Sequence, residues 1–434
     1  MQKGNRGMKK AVTIMLSVAC VINLLACSVK PETEETVKRE QLAGTLEMEK
    51  ARERAEDKEN APKKKKIFKP VNEVVLAESA YNPNADFIKE YSYLFTNGSF
   101  DENLIWTTDD AEYSDLVETL KAYCEKSAMG SMILATDEEI IFAGGFQALE
   151  ADGETVVNPC TTYEVGAITQ QFMAAAILQQ IQEGKLKTTD TIDKFFPEYT
   201  HGSKITVGHL LLMESGIPDF LNESMKFFTG RTAEEYDAFM TGQMTDEQML
   251  GYLYKAQLNF EPGKKADYSN TNYYLLALIL EQVTGESYEE YLKTHLFEPC
   301  KLQHTTCVEI GNLTSMPSGN GEYMGIAGAC RGAGDMHSNV CDILLWNRAL
   351  LTGKVLDEAQ LKDIKEMPNG YACGFEDMGG GAIGSIGGTL SYGYLNLVYQ
   401  NPDGNVYFVM MIPKANGWGL IRDMLEFMEE YFAN

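Results

Sequence analysis

The sequence predicts an α/β (α+β) fold in which a sheet is flanked by helices and interrupted by an inserted helical lobe. Three observations carry that expectation. Strand-like apolar runs come early, at 131–136 and 139–142, joined by a tight acidic turn. Long helical patterns fill the middle, the strongest from Ile168 to a stop at Gly184. Strand-like runs then return at 384–389, 395–399 and 406–411. Strands first, helices between and strands last is the order of a sheet covered by helices. With 434 residues, 44% of them hydrophobic, the chain can bury a large core in one big domain or two lobes.

The chain begins with Lys3, Arg6, Lys9 and Lys10, followed by an apolar run from Ala11 to Ala26, which is the layout of an export signal. The run ends Leu24-Leu25-Ala26-Cys27-Ser28 and resembles a bacterial lipobox, in which the cysteine is lipidated and becomes the new N-terminus. Residues 1–26 are therefore expected to be a lipoprotein signal peptide, with an uncleaved anchor helix as the alternative. In both cases the body is tethered on the extracytoplasmic face of the membrane. Residues 27–71 are charge-rich with almost no large apolar groups, as in a tether, and close on Lys63 to Lys66. Those four lysines could touch anionic headgroups or wall polymers, but a solvated linker is the simpler reading.

Globular sequence starts near Asn72 and is expected to run to 434, with the helical lobe at about 186–300. A helix is expected over 114–127. After the central helix, Ser287 can cap a helix over 288–296 with Glu290 as its capping-box partner. Residues 274–283 form another helix that stops at Thr284-Gly285. An amphipathic helix is expected over 344–351, and a closing helix from about 420 to 432. No fixed-period repeat is visible. A formal charge of −26 argues against nucleic acid and against broad attraction to an anionic membrane surface. Nine cysteines are scattered with no C-x-x-C pair, so neither a zinc motif nor a dense disulfide scaffold is expected, and no metal or cofactor is implied. Seven of them lie downstream of the leader, so at least one stays unpaired within a single chain.

The block from Thr162 to Leu186 resembles the nucleophile helix of the serine β-lactamase and penicillin-binding-protein superfamily, most closely the class C β-lactamase and esterase-like branch. Glu261-Pro262-Gly263, Tyr268-Ser269-Asn270, Val283-Thr284-Gly285 and Gly387-Gly388-Thr389 follow in family order over the rest of the chain. The resemblance implies an antiparallel sheet and an acyl-transfer site. That chemistry needs a hydroxyl nucleophile, a base and oxyanion donors. In the family a Ser and a Lys stand three residues apart because positions i and i+3 share one helix face. Here those positions hold Ala167 and Gln170, so both reactive groups are missing. The second motif, Tyr268-Ser269-Asn270, is intact. The third is Ser385-Ile386-Gly387, with its cation lost and its glycine kept.

By the same resemblance the oxyanion donors would be the backbone N–H groups of Ala167 and Gly388, and the retained pocket would comprise Tyr268, Asn270, Gly387, Gly388 and Thr389. No serine in the sequence has a lysine three positions later. Thr169 cannot substitute without rotating the helix, since residues two apart point about 200° from each other. His209 belongs to a family segment where it is structural. The site residues are thus a degenerate set, Ala167, Gln170 and Ser385, inside a retained frame. Three functions follow as expectations. One is a pseudoenzyme that binds a cell-wall peptide, an acyl ligand or a protein partner. Another is an active β-lactamase, D-Ala-D-Ala peptidase or esterase with an altered mechanism built on Tyr268 or Ser385. The last is a scaffold with its pocket closed.

Overall fold

The computed structural model describes residues 87–88, 105–126, 130–146, 157–307, 330–389, 394–412 and 418–432. The expected signal peptide, Cys27 and the tether at 27–71 lie outside the described residues.

The strands form an eight-stranded sheet in the order β1-β3-β2-β11-β10-β9-β8-β7, antiparallel throughout. Its members are β1 (Ile105–Thr107), β2 (Gly130–Thr136), β3 (Ile140–Phe146), β7 (Tyr371–Ala372), β8 (Phe375–Gly379), β9 (Ala382–Thr389), β10 (Tyr394–Gln400) and β11 (Val406–Ile412). The hairpin expected from the acidic turn is present: Thr136 N–H donates to the Glu139 carbonyl at 2.8 Å, and the Tyr407 hydroxyl donates to Asp137 at 2.9 Å. A small second sheet, β4-β6-β5, joins Tyr163–Glu164, Met336–Ser338 and Thr306–Cys307.

Every residue of β11 is buried, because both faces of the large sheet are covered. Successive side chains point to opposite faces. Thus Tyr407, Val409 and Met411 enter the larger core with Ile133 and Ala135. Phe408, Met410 and Ile412 enter the other with Met132 and Leu134. The second core is closed by helices α1 (Ser114–Lys126) and α8 (Trp418–Phe432). The first is closed by α2 (Thr169–Gln182), α5 (Asn270–Thr284) and α6 (Val340–Leu351). Helices α3 (Ala233–Met240) and α4 (Asp246–Leu253) lie between α2 and α5 in sequence, and α7 (Glu358–Lys365) precedes β7. The mixed fold with an antiparallel sheet is as the sequence predicts.

Local signals explain the helix ends. Helix α5 stops at Gly285 with φ 78°, the left-handed conformation glycine adopts without steric cost. Thr232 and Thr245 cap α3 and α4 through capping boxes. The helix expected over 288–296 is a single α segment, Tyr288–Leu292, continued by a π turn at Lys293–Phe297. Ser287 Oγ accepts from the Glu290 N–H at 3.3 Å, while the Glu290 carboxylate accepts from the Thr294 hydroxyl at 3.3 Å and does not close the expected box.

One expectation is corrected. Helix α6 is not amphipathic: all of its residues but Arg348 are buried. Its polar side chains are consumed internally. Asn347 donates to the Ile343 carbonyl, and Asp342 accepts from the His304 N–H and the Thr305 hydroxyl. Trp346 stacks on Phe172 of α2 at 4.0 Å, so α6 is wedged between the sheet and the central helix.

Candidate active site

The chain enters α2 through β4, a 3-10 turn at Gly166–Ile168, and Thr169. Gly166 takes φ 55° to make that corner. Val165 N–H donates to the Met336 carbonyl at 3.0 Å, and Met336 N–H donates to the Thr169 hydroxyl at 3.3 Å. The helix mouth is thereby tied to the first residue of β6. Thr169 is fully buried and committed to that contact, so it offers no nucleophile. Ala167 is half-buried at the mouth and presents only a methyl group.

One turn later Gln170 is 1% exposed and its amide is fully engaged. Its Nε2 donates to the Tyr268 hydroxyl (2.6 Å), the Ala333 carbonyl (3.2 Å) and Asn270 Oδ1 (3.3 Å). Its Oε1 accepts from the Tyr371 hydroxyl at 2.7 Å. Tyr268 in turn donates to Asn270 Oδ1 at 3.1 Å. Four segments converge on this one side chain of α2: the Tyr268 loop, α5, the loop at Ala333 and β7.

Asn270 is positioned by Asp219. The buried carboxylate accepts from the Asn270 N–H at 3.1 Å and its Nδ2 at 2.9 Å, and also from Leu221 N–H, Asn222 N–H and Asn222 Nδ2. Thr271 and Asn272 bind the same segment through Phe220 N–H, the Pro218 carbonyl and Ser215. Burial raises the Asp219 carboxyl above its ordinary range despite these donors.

Tyr268 keeps 39% of its surface exposed, but its hydroxyl end points inward. Enclosure of that hydroxyl and then the nearby Asp219 charge hold the phenol well above its usual pKa, with the Gln170 bond opposing. The phenol therefore stays protonated near neutral pH. Glu376 on β8 is the acid shifted into the neutral range here, raised to about 7 by burial. Ala167, at the helix mouth, offers it no hydroxyl to activate.

Ser385 is 2% exposed and faces away from such a role. Its hydroxyl accepts from Gln171 Nε2 at 2.7 Å and donates to the Gly374 carbonyl, while Gln171 Oε1 accepts from the Trp346 indole at 3.1 Å. Gly387 packs against the helix mouth so tightly that a Cβ there would stand 2.0 Å from the Val165 carbonyl oxygen. Gly388 adopts φ 94°, a conformation reserved in practice for glycine. Thr389 ends β9, and its side chain lies outside the described set. His209 Nδ1 accepts from the Thr206 N–H at 3.3 Å in a capping box, a structural task. Among the described residues no group of three His, Cys, Asp or Glu side chains is arranged to hold a metal ion. A surface cavity of about 290 Å³, lined by Phe195, Asp246, Leu250, Tyr254 and Glu281 among others, shares no residue with this site.

A family model described as Beta-lactamase matches residues 124–417, well over half of the chain. The chain belongs to the beta-lactamase family. Among curated proteins, PbpX of Bacillus subtilis (strain 168), which carries a penicillin-binding-protein name, is 26% identical over 243 residues, 53% of this chain and 56% of that protein. Protein flp of Staphylococcus aureus (strain MW2) is 29% identical over 181 residues, 41% of this chain and 34% of flp. The chain thus spans about half or less of these relatives. FmtA of Staphylococcus aureus has a similar fold, with TM-score 0.60 at 18% identity over 78% of this chain and 95% of FmtA. The octameric penicillin-binding protein homologue of Pyrococcus abyssi gives 0.59 at 21% identity, over 74% and 76%. D-amino acid amidase of Ochrobactrum anthropi SV3 gives 0.61 at 18% identity, over 73% and 98%.

Within the beta-lactamase family frame, the residues singled out from the sequence do meet: Gln170, Tyr268 and Asn270 form one hydrogen-bonded cluster beside Ala167. Ser385 lies behind them, bonded to the next residue of the helix, Gln171. Sequence reasoning missed Asp219, Tyr371 and the Ala333 carbonyl. Asp219 ends the stretch Gly216-Ile217-Pro218-Asp219, whose turn-forming glycine and proline were the available signal; Tyr371 had none.

The loop supplying Ala333 also carries Asp335, which is 5% exposed and accepts from the Gly332 N–H at 3.0 Å. Burial raises its carboxyl from 3.8 to about 8. An acid whose folded pKa lies above its unfolded value stabilises the fold while protonated. That contribution is complete below 3.8 and is lost as pH rises through about 8. The melting temperature is therefore expected to fall across this window, and Asp335→Asn to flatten the fall. Melting scans of both proteins across the range check it; parallel slopes would contradict the assignment.

Proposed function

We propose that this protein is a non-catalytic member of the beta-lactamase family, held outside the cytoplasmic membrane by a lipid on Cys27. Its pocket is proposed to bind a cell-wall peptide or related acyl ligand reversibly. The observation that carries the reading is the Gln170 amide, clamped by four partners where the family places its base, beside a methyl group where it places its nucleophile. Losing a nucleophile costs roughly 10⁶ in turnover in a serine hydrolase, while backbone donors survive any side-chain change except to proline. The names of the similar proteins direct the choice of probes: a penicillin, an acyl-D-Ala-D-Ala peptide and a D-amino acid amide.

Calorimetric titration of the purified protein with an acyl-D-Ala-D-Ala peptide tests the proposal. Reversible one-site binding without release of D-alanine is expected, weakened about tenfold or more by Asn270→Ala, which removes a side-chain partner worth about 1.4 kcal/mol or more. Release of D-alanine would contradict the non-catalytic reading. Absence of binding by all three probes would shift the assignment to a scaffold whose partner is a protein.

A further inference from the structure

We infer that Cys160 and Cys341 are a dithiol pair built to close into a disulfide that clamps the mouth of α2 to the start of α6. The small sheet sets up the meeting. Its antiparallel register pairs Glu164 with His337 and Tyr163 with Ser338, which leaves Cys160, just before Tyr163, and Cys341, just after Ser338, at the same end of the ladder. Both segments leave the ladder within three residues of the last pair, yet they stay joined. Asn339 Nδ2 donates to the Cys160 carbonyl at 3.3 Å. Cys160 itself is fixed in a turn, its N–H donating to Asn158 Oδ1 at 2.8 Å, with Thr161 N–H returning to the Asn158 carbonyl at 3.0 Å. Cys160 is the strongest influence on the Cys341 thiol, which it and burial hold well above the usual range. Cys341 is 1% exposed, whereas Cys160 is only half-buried, so a reagent reaches the pair from the Cys160 side. The two thiols come from segments far apart in the chain, so a bond between them would close a long loop.

The oxidant is a disulfide, either of a small thiol or of a thiol oxidoreductase. The Cys160 thiolate attacks one sulfur of that disulfide, forming a mixed disulfide and expelling one thiolate. The Cys341 thiolate then attacks the Cys160 sulfur, forming the Cys160–Cys341 bond and expelling the second. The protons given up by the two cysteines are taken by the two expelled thiolates; the cysteines are oxidised and the reagent disulfide is reduced. The chemistry does not depend on whether the pocket binds a ligand.

The purified full-length protein, equilibrated in glutathione buffers of graded oxidation, then alkylated and mapped without reduction, tests the pair. A peptide joining Cys160 to Cys341, two hydrogens lighter than its separate halves, is expected to accumulate with oxidation. The oxidised protein is expected to melt about 5 °C higher, because closing a long loop restricts the unfolded chain. Cys341→Ser is expected to stop the reaction at a glutathione adduct on Cys160. Two results would overturn the inference: a Cys160 adduct in the wild type that never resolves to the joined peptide, or two thiols still alkylated in full oxidant.

Discussion

Ala167→Ser combined with Gln170→Lys is expected to make the protein label covalently with a fluorescent penicillin, at least 100-fold above wild type. The cage around Gln170 Nε2 is already suited to an ammonium. Its three acceptors, the Tyr268 hydroxyl, Asn270 Oδ1 and the Ala333 carbonyl, match the three donors a lysine brings. The neighbouring acids, Asp219 and Glu376, oppose ionisation of Tyr268 and would favour a cation at 170. A serine at 167 would stand half-exposed at the helix mouth, one turn from that amine, beside backbone groups of the first helical turn that lack intrahelical partners. Either single substitution is expected to remain unlabelled, because a hydroxyl without its base and a base without its hydroxyl are each nearly inert. Gel fluorescence after incubation reads all four proteins together. If the double variant folds and still fails to label, the site has changed beyond the two residues.

Gly387→Ala is expected to destabilise the protein by about 3 kcal/mol, lowering its melting temperature by roughly 5–10 °C. The added Cβ would lie 2.0 Å from the Val165 carbonyl oxygen. The clash is with backbone on the segment that leads into α2, so no side chain can swing aside. Relief requires β9 to part from the helix mouth. Gly184→Ala is the control: its φ is 73°, but nothing lies within 4 Å of the new methyl. Only left-handed strain of about 1–2 kcal/mol applies there. Equal losses in the two variants, read by thermal or denaturant unfolding, would contradict the close approach of β9 to the helix mouth.

Much of this architecture was legible because it is local. The runs that became β2 and β11 carry their apolar residues in unbroken stretches, and α2 and α5 end at glycines whose conformations the sequence announces. The loss of the reactive pair was equally readable, since two positions on one helix face are separated by a fixed spacing. How Gln170 is used was not readable. Its partners Tyr268, Ala333 and Tyr371 lie far along the chain, and no periodicity connects them to it. Asp219 organises Asn270 through a turn whose donors are mainly backbone groups, which composition does not reveal. The expectation for α6 failed for a related reason. Asn347 and Arg348 look like a solvent face in sequence, yet Asn347 is buried and donates to the Ile343 carbonyl, and the helix is core on nearly every side.

The proposed non-catalytic function requires that no residue of the unaltered chain accept an acyl group. Intact-mass spectrometry of the wild-type protein after prolonged incubation with excess benzylpenicillin tests it most directly. The protein is expected to keep its original mass. A species heavier by one penicilloyl group, on any residue, would contradict the claim.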